Sequence, residues 1–398
     1  MRPTCLRPAL GPLLALLLVG CGAGDKDTGA SPADTDTAAP DTADTDAPSV
    51  DCPEGHADFD PVAAAPPGFV LLLTADTLNR DFLGVHHEWD TTPNLDALFR
   101  DGVVLENVLM ARGLSAPSLA TVLTGEYPRV HGIRDNTSSL PRVPMMQERF
   151  QEAGWQTIAA SGNMCFLASR GIDAYFCNWG GLEEGEGGEG TGDLAADEEL
   201  VDAFLAQLDA RDPEKPTFAW LHLMSPHDPY IAEPAYYEEF HPEAYDGEFE
   251  DATEGPLTAM QLGALPWSEA DMRHLHAVYA SELRGTDALI GRVLDGIAER
   301  GLADDGVLVF GSDHGDELGT RPDTNYIWHG CSVYNPVVAT TWAIRAPGRL
   351  AAGETLRGWV SAADLAPTVL SLAQVPPGAV EGTSLVPDIL ACEDPGRP

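Results

Sequence analysis

Short apolar runs alternate along this chain with segments whose apolar residues recur at helical spacing. Gly68 to Ala75, Val103 to Met110, Trp155 to Ala160, Thr217 to Leu223 and Val307 to Ser312 are bounded by turn or polar residues and suit buried strands. Between them, Thr92-Pro93 opens a helix with proline in its first turn, and Leu95, Leu98 and Phe99 form its apolar stripe. A helix begins over Ser118 to Leu123, another covers Val143 to Ala153 and stops at Gly154, and a third spans Leu194 to Leu208. Ser268 to Arg300 predicts a long helix, with Ser268 as N-cap and Gly301 at its end. This alternation predicts an α/β fold, a mostly parallel central sheet with helices on both faces.

Two stretches lack this order. Gly180 to Gly192 is Gly/Glu-rich and predicts a mobile loop, and Pro234 to Pro266 is an irregular insertion of the kind that shapes a substrate entrance. No internal repeat is evident.

Composition sharpens the picture at the N-terminus. Arg2 and Arg7 precede an apolar run, Leu13 to Val19, too short to span a bilayer as a helix, so residues 1–20 predict a secretory signal. It ends in Leu18-Val19-Gly20-Cys21, which resembles the lipobox of bacterial lipoproteins. That resemblance implies cleavage before Cys21, lipidation of its thiol, export, and anchorage to the cell envelope; Gly22 in place of Asp points to the outer membrane. An ordinary signal followed by a chance cysteine is the alternative. Residues 21–65, rich in Asp, Thr, Ala and Pro, bury too little apolar surface to offset chain entropy and predict a disordered tether. The catalytic domain is expected over 66–392, with a tail at 393–398 and membrane contact through the lipid anchor only.

The formal charge of −41 argues against a nucleic-acid partner. It also repels anionic esters from the outer surface, so a pocket for one must be locally positive. Five cysteines follow Cys21: Cys52, Cys165, Cys177, Cys331 and Cys392. Export permits disulfides, and Cys165 with Cys177 is the pair closest in sequence, but order alone fixes no connectivity. Cys331, near His329, is either a buried structural cysteine or a further ligand.

The candidate chemistry sits where strands end. Asp76 follows the first apolar run, Asp313-His314 follow Val307 to Ser312, and Ser115-Ala116-Pro117-Ser118 place a hydroxyl at the mouth of a helix. Together they suit a one-metal ester hydrolase: carboxylate and imidazole ligands, and a nucleophile near helix N-terminal amides that favour an anion. His227 lies in the proline-bracketed Ser225-Pro226-His227-Asp228-Pro229-Tyr230. Each signal has a plainer explanation. An Asp after an apolar run also serves as a turn residue, loop histidines also satisfy ordinary hydrogen bonds, and Arg134 and Asn136 also suit a solvated turn.

Read in order, these segments resemble the sulfatase family of the alkaline phosphatase superfamily from about Gly68 to Leu390. The segments that carry the likeness are Ala75-Asp76-Thr77-Leu78 with Asp81-Phe82-Leu83-Gly84, Thr92-Pro93-Asn94-Leu95-Asp96, the Ser115 motif with Leu123-Thr124-Gly125, and His131-Gly132-Ile133-Arg134-Asp135-Asn136. Downstream come Pro226-His227-Asp228-Pro229-Tyr230, Ser312-Asp313-His314-Gly315, His329-Gly330 and Asp364-Leu365-Ala366-Pro367-Thr368. The resemblance implies an alkaline phosphatase-like fold and one divalent ion held by Asp76, Asp313, His314 and the nucleophile Ser115. It also implies that His227 and His329 meet the substrate while Arg134 and Asn136 grip further oxygens. The implied activity is hydrolysis of a small or saccharide sulfuric ester.

Three departures from the family pattern bear on mechanism. Leu119 stands where the family usually has the Arg of the signature for formylglycine conversion, so Ser115 is expected to act unmodified. Thr77 follows Asp76 where many members pair two acids, which with His314 moves the expected ion from the family's calcium toward manganese or zinc. The only lysines are Lys26 and Lys215, neither placed to grip a substrate. An unmodified serine keeps phosphoric or phosphonic ester hydrolysis open as an alternative, and the missing basic residues leave a decayed, surface-anchored binding protein as a third.

Overall fold

The computed structural model describes Pro53, Phe59, Pro61 and residues 64–163, 165–177, 194–241, 245–247, 268–320, 327–330 and 332–395. Its frame is one sheet of β1 (Phe69–Ala75), β2 (Val103–Leu109), β3 (Gln156–Ser161), β4 (Ala174–Cys177), β5 (Thr217–Leu223), β6 (Val307–Ser312), β7 (Ala339–Arg345) and β8 (Glu354–Ser361). The spatial order is β4-β3-β5-β1-β6-β7-β2-β8. Only β7 runs against its neighbours, so the expected mostly parallel sheet is present.

β1 shows why its sequence is apolar throughout rather than alternating: both of its faces are covered. Val70 and Leu72 enter a core shared with the Ser115–Thr124 and Leu365–Leu372 helices. Phe69, Leu71 and Leu73 enter the opposite core with the Leu194–Ala210 and Glu269–Glu299 helices. The Glu269–Glu299 helix is capped as expected: Ser268 Oγ accepts from the Asp271 amide, and Gly301 takes φ 66°.

Register places the site. Ala75 pairs with Leu223 on β5 and with Ser312 on β6, so the residues that follow, Asp76, Met224 and Asp313, leave the sheet side by side at its carboxyl end. The Asp76 amide donates to Leu223 O at 3.0 Å and the Asp313 amide to Ala75 O at 3.4 Å. Side chains at neighbouring carboxyl ends of parallel strands are the usual origin of a ligand crevice in such sheets.

Local boundaries differ from expectation for identifiable reasons. The helix expected at Ser118 begins at Ser115 itself, because Pro117 suits a first turn that needs no amide donor. The helix expected from Val143 begins at Met146, beyond Pro144, where Glu148 caps the Met145 amide at 2.8 Å. The expected strand at Trp155 runs one residue later as β3. β4, β7 and β8 were not anticipated; β4 is half exposed and joined to the segment after β3 by a Cys165–Cys177 disulfide.

Residues 1–20, Cys21, the 180–192 loop and Cys331 lie outside the described residues, as do nearly all of the tether and most of the 234–266 insertion. Among the described residues, no helix is long and apolar enough to cross a membrane.

Candidate active site

Ser115 is the first residue of its helix and is 1% exposed. Its Oγ lies 3.2 Å and 3.4 Å from the two Asp76 carboxylate oxygens and 3.4 Å from His314 Nε2. Asn136 Oδ1 accepts from the Ala116 amide at 3.1 Å, which fixes the start of this helix and satisfies one of its orphan donors. Leu119, four residues on, is fully buried in the apolar core.

Asp76, Asp313 and His314 form one compact group, their ligand atoms all within 4.8 Å of one another and all buried. Thr77, with φ 54°, turns the chain sharply after Asp76, and its amide donates to Asp313 Oδ1 at 3.2 Å. The His314 amide donates to the same oxygen at 2.8 Å. Asp313 Oδ2 is buried without a hydrogen-bond partner and lies 3.7 Å from His314 Nε2. A buried carboxylate oxygen left this way is costly unless a cation takes it up. With one imidazole and two carboxylates converging on the serine hydroxyl, the residues fit a divalent ion.

Asp76 is held by two residues that sequence reasoning did not single out. Asn163 Nδ2 donates to Asp76 Oδ2 at 2.6 Å, and His222 Nε2 approaches the same oxygen at 3.5 Å. His222 is itself fixed from behind: its Nδ1 lies 2.8 Å from Thr74 Oγ1, which accepts from Trp220 Nε1 at 3.1 Å and donates to Leu221 O at 3.4 Å.

A second buried group, His227, Asp228 and His329, lies alongside. His329 and His314 have ring centroids 4.6 Å apart, and His329 and His227 5.1 Å apart. His329 Nδ1 is 3.1 Å from Asp316 Oδ1, and the other Asp316 oxygen accepts from Tyr230 Oη. The loop that carries His227 is fixed from the helix side, where the buried Asp197 accepts from the Met224 and Ser225 amides at 3.0 Å and 2.8 Å.

Burial sets the electrostatics. It pushes the Asp76 carboxyl up, but contact with His222 and the fields of His227 and His314 outweigh it and hold Asp76 well below the usual carboxylate range. Asp313 goes the other way, raised well above the ordinary value by burial and then by the charge of Asp76. Two such carboxylates side by side resist joint ionisation unless a cation intervenes. Burial also lowers His314, and it lowers His329 strongly, reinforced there by His314 and His227. Asp197 is raised to about 6 by burial.

Of the residues expected at the site, the structure brings together Asp76, Ser115, Asp313 and His314, with His227 and His329 adjoining and Asn136 hydrogen-bonded to the first turn of the nucleophile helix. Arg134 is exposed; its amide donates to Ser138 Oγ at 3.2 Å and its carbonyl accepts from Arg112. Asn163, His222, Asp228 and Asp316 were missed. His222 is a lone polar residue inside an apolar strand and Asn163 follows the end of another, a pattern that could have marked both; Asp228 and Asp316 lie within two residues of expected site histidines.

Comparison with known proteins agrees with this geometry. The chain is 25% identical over 389 residues to a choline-sulfatase of Rhizobium meliloti (strain 1021), covering 81% of this chain and 72% of that one. It is also 25% identical over 399 residues to the multifunctional alkaline phosphatase superfamily protein PehA of Trinickia caryophylli, covering 80% and 76%. The crystal structure of a phosphonate monoester hydrolase of Agrobacterium radiobacter superimposes with a TM-score of 0.65 at 22% identity, covering 83% of this chain and 78% of that one. The Sulfatase family model matches residues 69–375, the span that holds every ligand and nucleophile position described above, and the chain belongs to that family of ester-hydrolysing enzymes.

Proposed function

We propose that this protein hydrolyses a small or saccharide sulfuric ester, using the Ser115 hydroxyl itself as nucleophile. The observation that carries this reading is the placement of Ser115 Oγ within 3.4 Å of both Asp76 and His314 at a buried helix N-terminus. Asp76, Asp313 and His314 would hold a divalent ion, which would lower the pKa of the Ser115 hydroxyl and draw charge from an ester oxygen. Asn163 and His222 orient the Asp76 carboxylate toward that work. Ser115 Oγ releases its proton to water and forms the bond to sulfur, the bond from sulfur to the alcohol oxygen breaks, and the leaving oxygen takes a proton from His227, with His329 beside it against the ester. Water then cleaves the Ser115 ester and releases sulfate. Asn136, hydrogen-bonded to the first turn of the nucleophile helix, serves a further ester oxygen. The saccharide assignment leans on relatives such as the N-acetylglucosamine-6-O-sulfatase of Bacteroides thetaiotaomicron, 23% identical over 398 residues.

One observation favours a second reading, a phosphoric or phosphonic ester. Leu119, where the family pattern has arginine, is 0% exposed in a packed core, which supports an unconverted Ser115. A plain serine ester of phosphate is the intermediate of serine phosphatases. Assaying the full chain with aryl sulfates, phosphates and phosphonates under calcium, manganese and zinc separates the two. Turnover of phosphorus esters with none of any aryl sulfate defeats the sulfuric assignment, and formylglycine at Ser115 by intact mass defeats the unmodified nucleophile.

We infer further that the enzyme is exported and anchored to the outer membrane through a lipid on Cys21, on the strength of Leu18-Val19-Gly20-Cys21 and the Asp/Thr/Ala/Pro tether. Cys21→Ser should move the protein from the membrane to the soluble fraction; if it stays with the membrane, the anchor is elsewhere.

A further inference from the structure

Asp197 belongs to neither of the buried histidine and aspartate groups at the site. It sits 1% exposed in the first turn of the Leu194–Ala210 helix. A carboxylate taken out of water is costly unless donors meet its oxygens, and here both oxygens are met. Oδ1 accepts from the Met224 amide at 3.0 Å and Oδ2 from the Ser225 amide at 2.8 Å, with the Ser225 side chain as a further partner. Met224 and Ser225 are the first two residues beyond β5. Two consecutive amides held by one carboxylate fix the direction in which the chain leaves the sheet.

That direction is passed on to His227. The His227 amide donates to Met224 O at 3.0 Å, and its Nδ1 is 2.7 Å from Asp228 O. Pro226 fixes one φ between the clamped residues and the histidine, so few torsions remain free. The seat of Asp197 is also tight. A Cβ on Gly162, the residue after β3, would stand 3.3 Å from Asp197 Oδ1 and 3.1 Å from Met224 Cβ, so the missing side chain is what leaves the carboxylate its room. The hold of Asn163 on Asp76 runs separately: its amide donates to Ser161 Oγ at 3.3 Å and its Nδ2 to Asp76, neither through Asp197.

We propose that Asp197 is a positioning residue for proton delivery, which aims His227 at the leaving oxygen without touching substrate. It thereby sets how well the enzyme cleaves esters of weakly acidic alcohols. The inference rests on His227 as the acid of the proposed reaction and holds for sulfuric and phosphorus esters alike. A proton matters little to an alcohol that departs readily as its anion and a great deal to one that does not. Misaiming the acid therefore costs the second kind of ester selectively, whereas lost packing lowers turnover of both alike.

The test is a ratio of two substrates. Asp197→Asn keeps the shape of the side chain but sets an NH2 against one of the two amides. In the full chain, kcat/KM on phenyl sulfate should fall about 10-fold to 100-fold and on nitrophenyl sulfate less than about 3-fold. Metal content by elemental analysis and the circular dichroism spectrum should match wild type. Gly162→Ala, which presses on the same carboxylate, should show the same selectivity at smaller size, and it decides the matter if Asp197→Asn does not fold. Phenyl and nitrophenyl phosphonates serve as the pair if the wild type cleaves phosphorus esters alone. An equal fall on both esters, or no fall, overturns the positioning role. His227→Gln separates that failure from a failure of the reaction scheme. Selective loss in His227→Gln with none in Asp197→Asn removes Asp197 alone, whereas no selectivity in His227→Gln removes His227 as the acid and this inference with it.

Discussion

Two buried carboxylates at opposite ends of the sheet, Asp76 after β1 and Glu354 at the start of β8, show what burial does with and without partners. Asp76 is 0% exposed and Glu354 1%. Asp76 faces Asn163, Ser115, His222 and His314 and stays well below the usual carboxylate range despite its burial. Glu354 has an oxygen, Oε1, without a hydrogen-bond partner, and burial pushes it up to about 7. A protein interior makes a carboxylate neutral by default; keeping one charged takes a constructed set of donors. The carboxyl end of this sheet has that set, and the other end does not.

The sharpest test of this contrast is Ser115→Ala, which should lower kcat on the order of 10⁴-fold, about 5 kcal/mol of transition-state stabilisation. The urea midpoint should stay level or rise, since the serine works against neighbouring carboxylates rather than filling the core. A parallel loss of stability would mean that the hydroxyl is structural. Midway between the two ends of the sheet the opposite holds: Leu72 is 0% exposed within an apolar core. Leu72→Ala should cost roughly 2–5 kcal/mol of unfolding free energy by urea denaturation. The surviving folded fraction should keep wild-type kcat; a selective fall in kcat would show that packing and chemistry are not separable along the strand.

That separation explains what was legible in the sequence. β1, β5 and β6 were readable because strands covered on both faces are continuous apolar runs, and Asp76 and Asp313 stood out as the first acids after two of them. Pairing was not readable: whether β7 lies antiparallel between β6 and β2 depends on contacts remote in the chain. β8 alternates buried with partly exposed residues and is weakly apolar, so it carried little signal. His222 and Asn163 were hidden for a related reason. Their importance comes from the register that sets β5 beside β1 and β3 beside β5, and no local pattern states a register.

Those two residues give the next test. If the partner set is what keeps Asp76 charged and aimed, Asn163→Ala should weaken manganese or zinc binding about 10-fold to 100-fold by titration calorimetry, the usual cost of removing a ligand's support. His222→Gln should fall in the same range with less loss, since Nε2 stands 3.5 Å from Asp76 and a glutamine amide can offer a donor in its place. Affinity unchanged in both would show that Asp76 is fixed by the backbone alone.

The smallest effect is expected at the far end, and its sign distinguishes the two carboxylates. Glu354 titrates near 4.5 when unfolded and is pushed up to about 7 when folded. A group raised on folding contributes stability that is complete below the unfolded value and is lost as pH rises through the folded one. At pH 8 the native chain therefore carries an ionised carboxylate in a place that disfavours it, and at pH 4 it does not. Glu354→Gln cannot ionise, so it should stabilise the protein at pH 8 by about 1 kcal/mol, less than full conversion of the shift because water relaxes around a strand end. Urea midpoints measured at pH 4 and pH 8 should show that gain fading to nothing at the acidic end. A gain of equal size at both values would mean that Glu354 is strained by shape rather than by charge, and the contrast with Asp76 would then be one of packing.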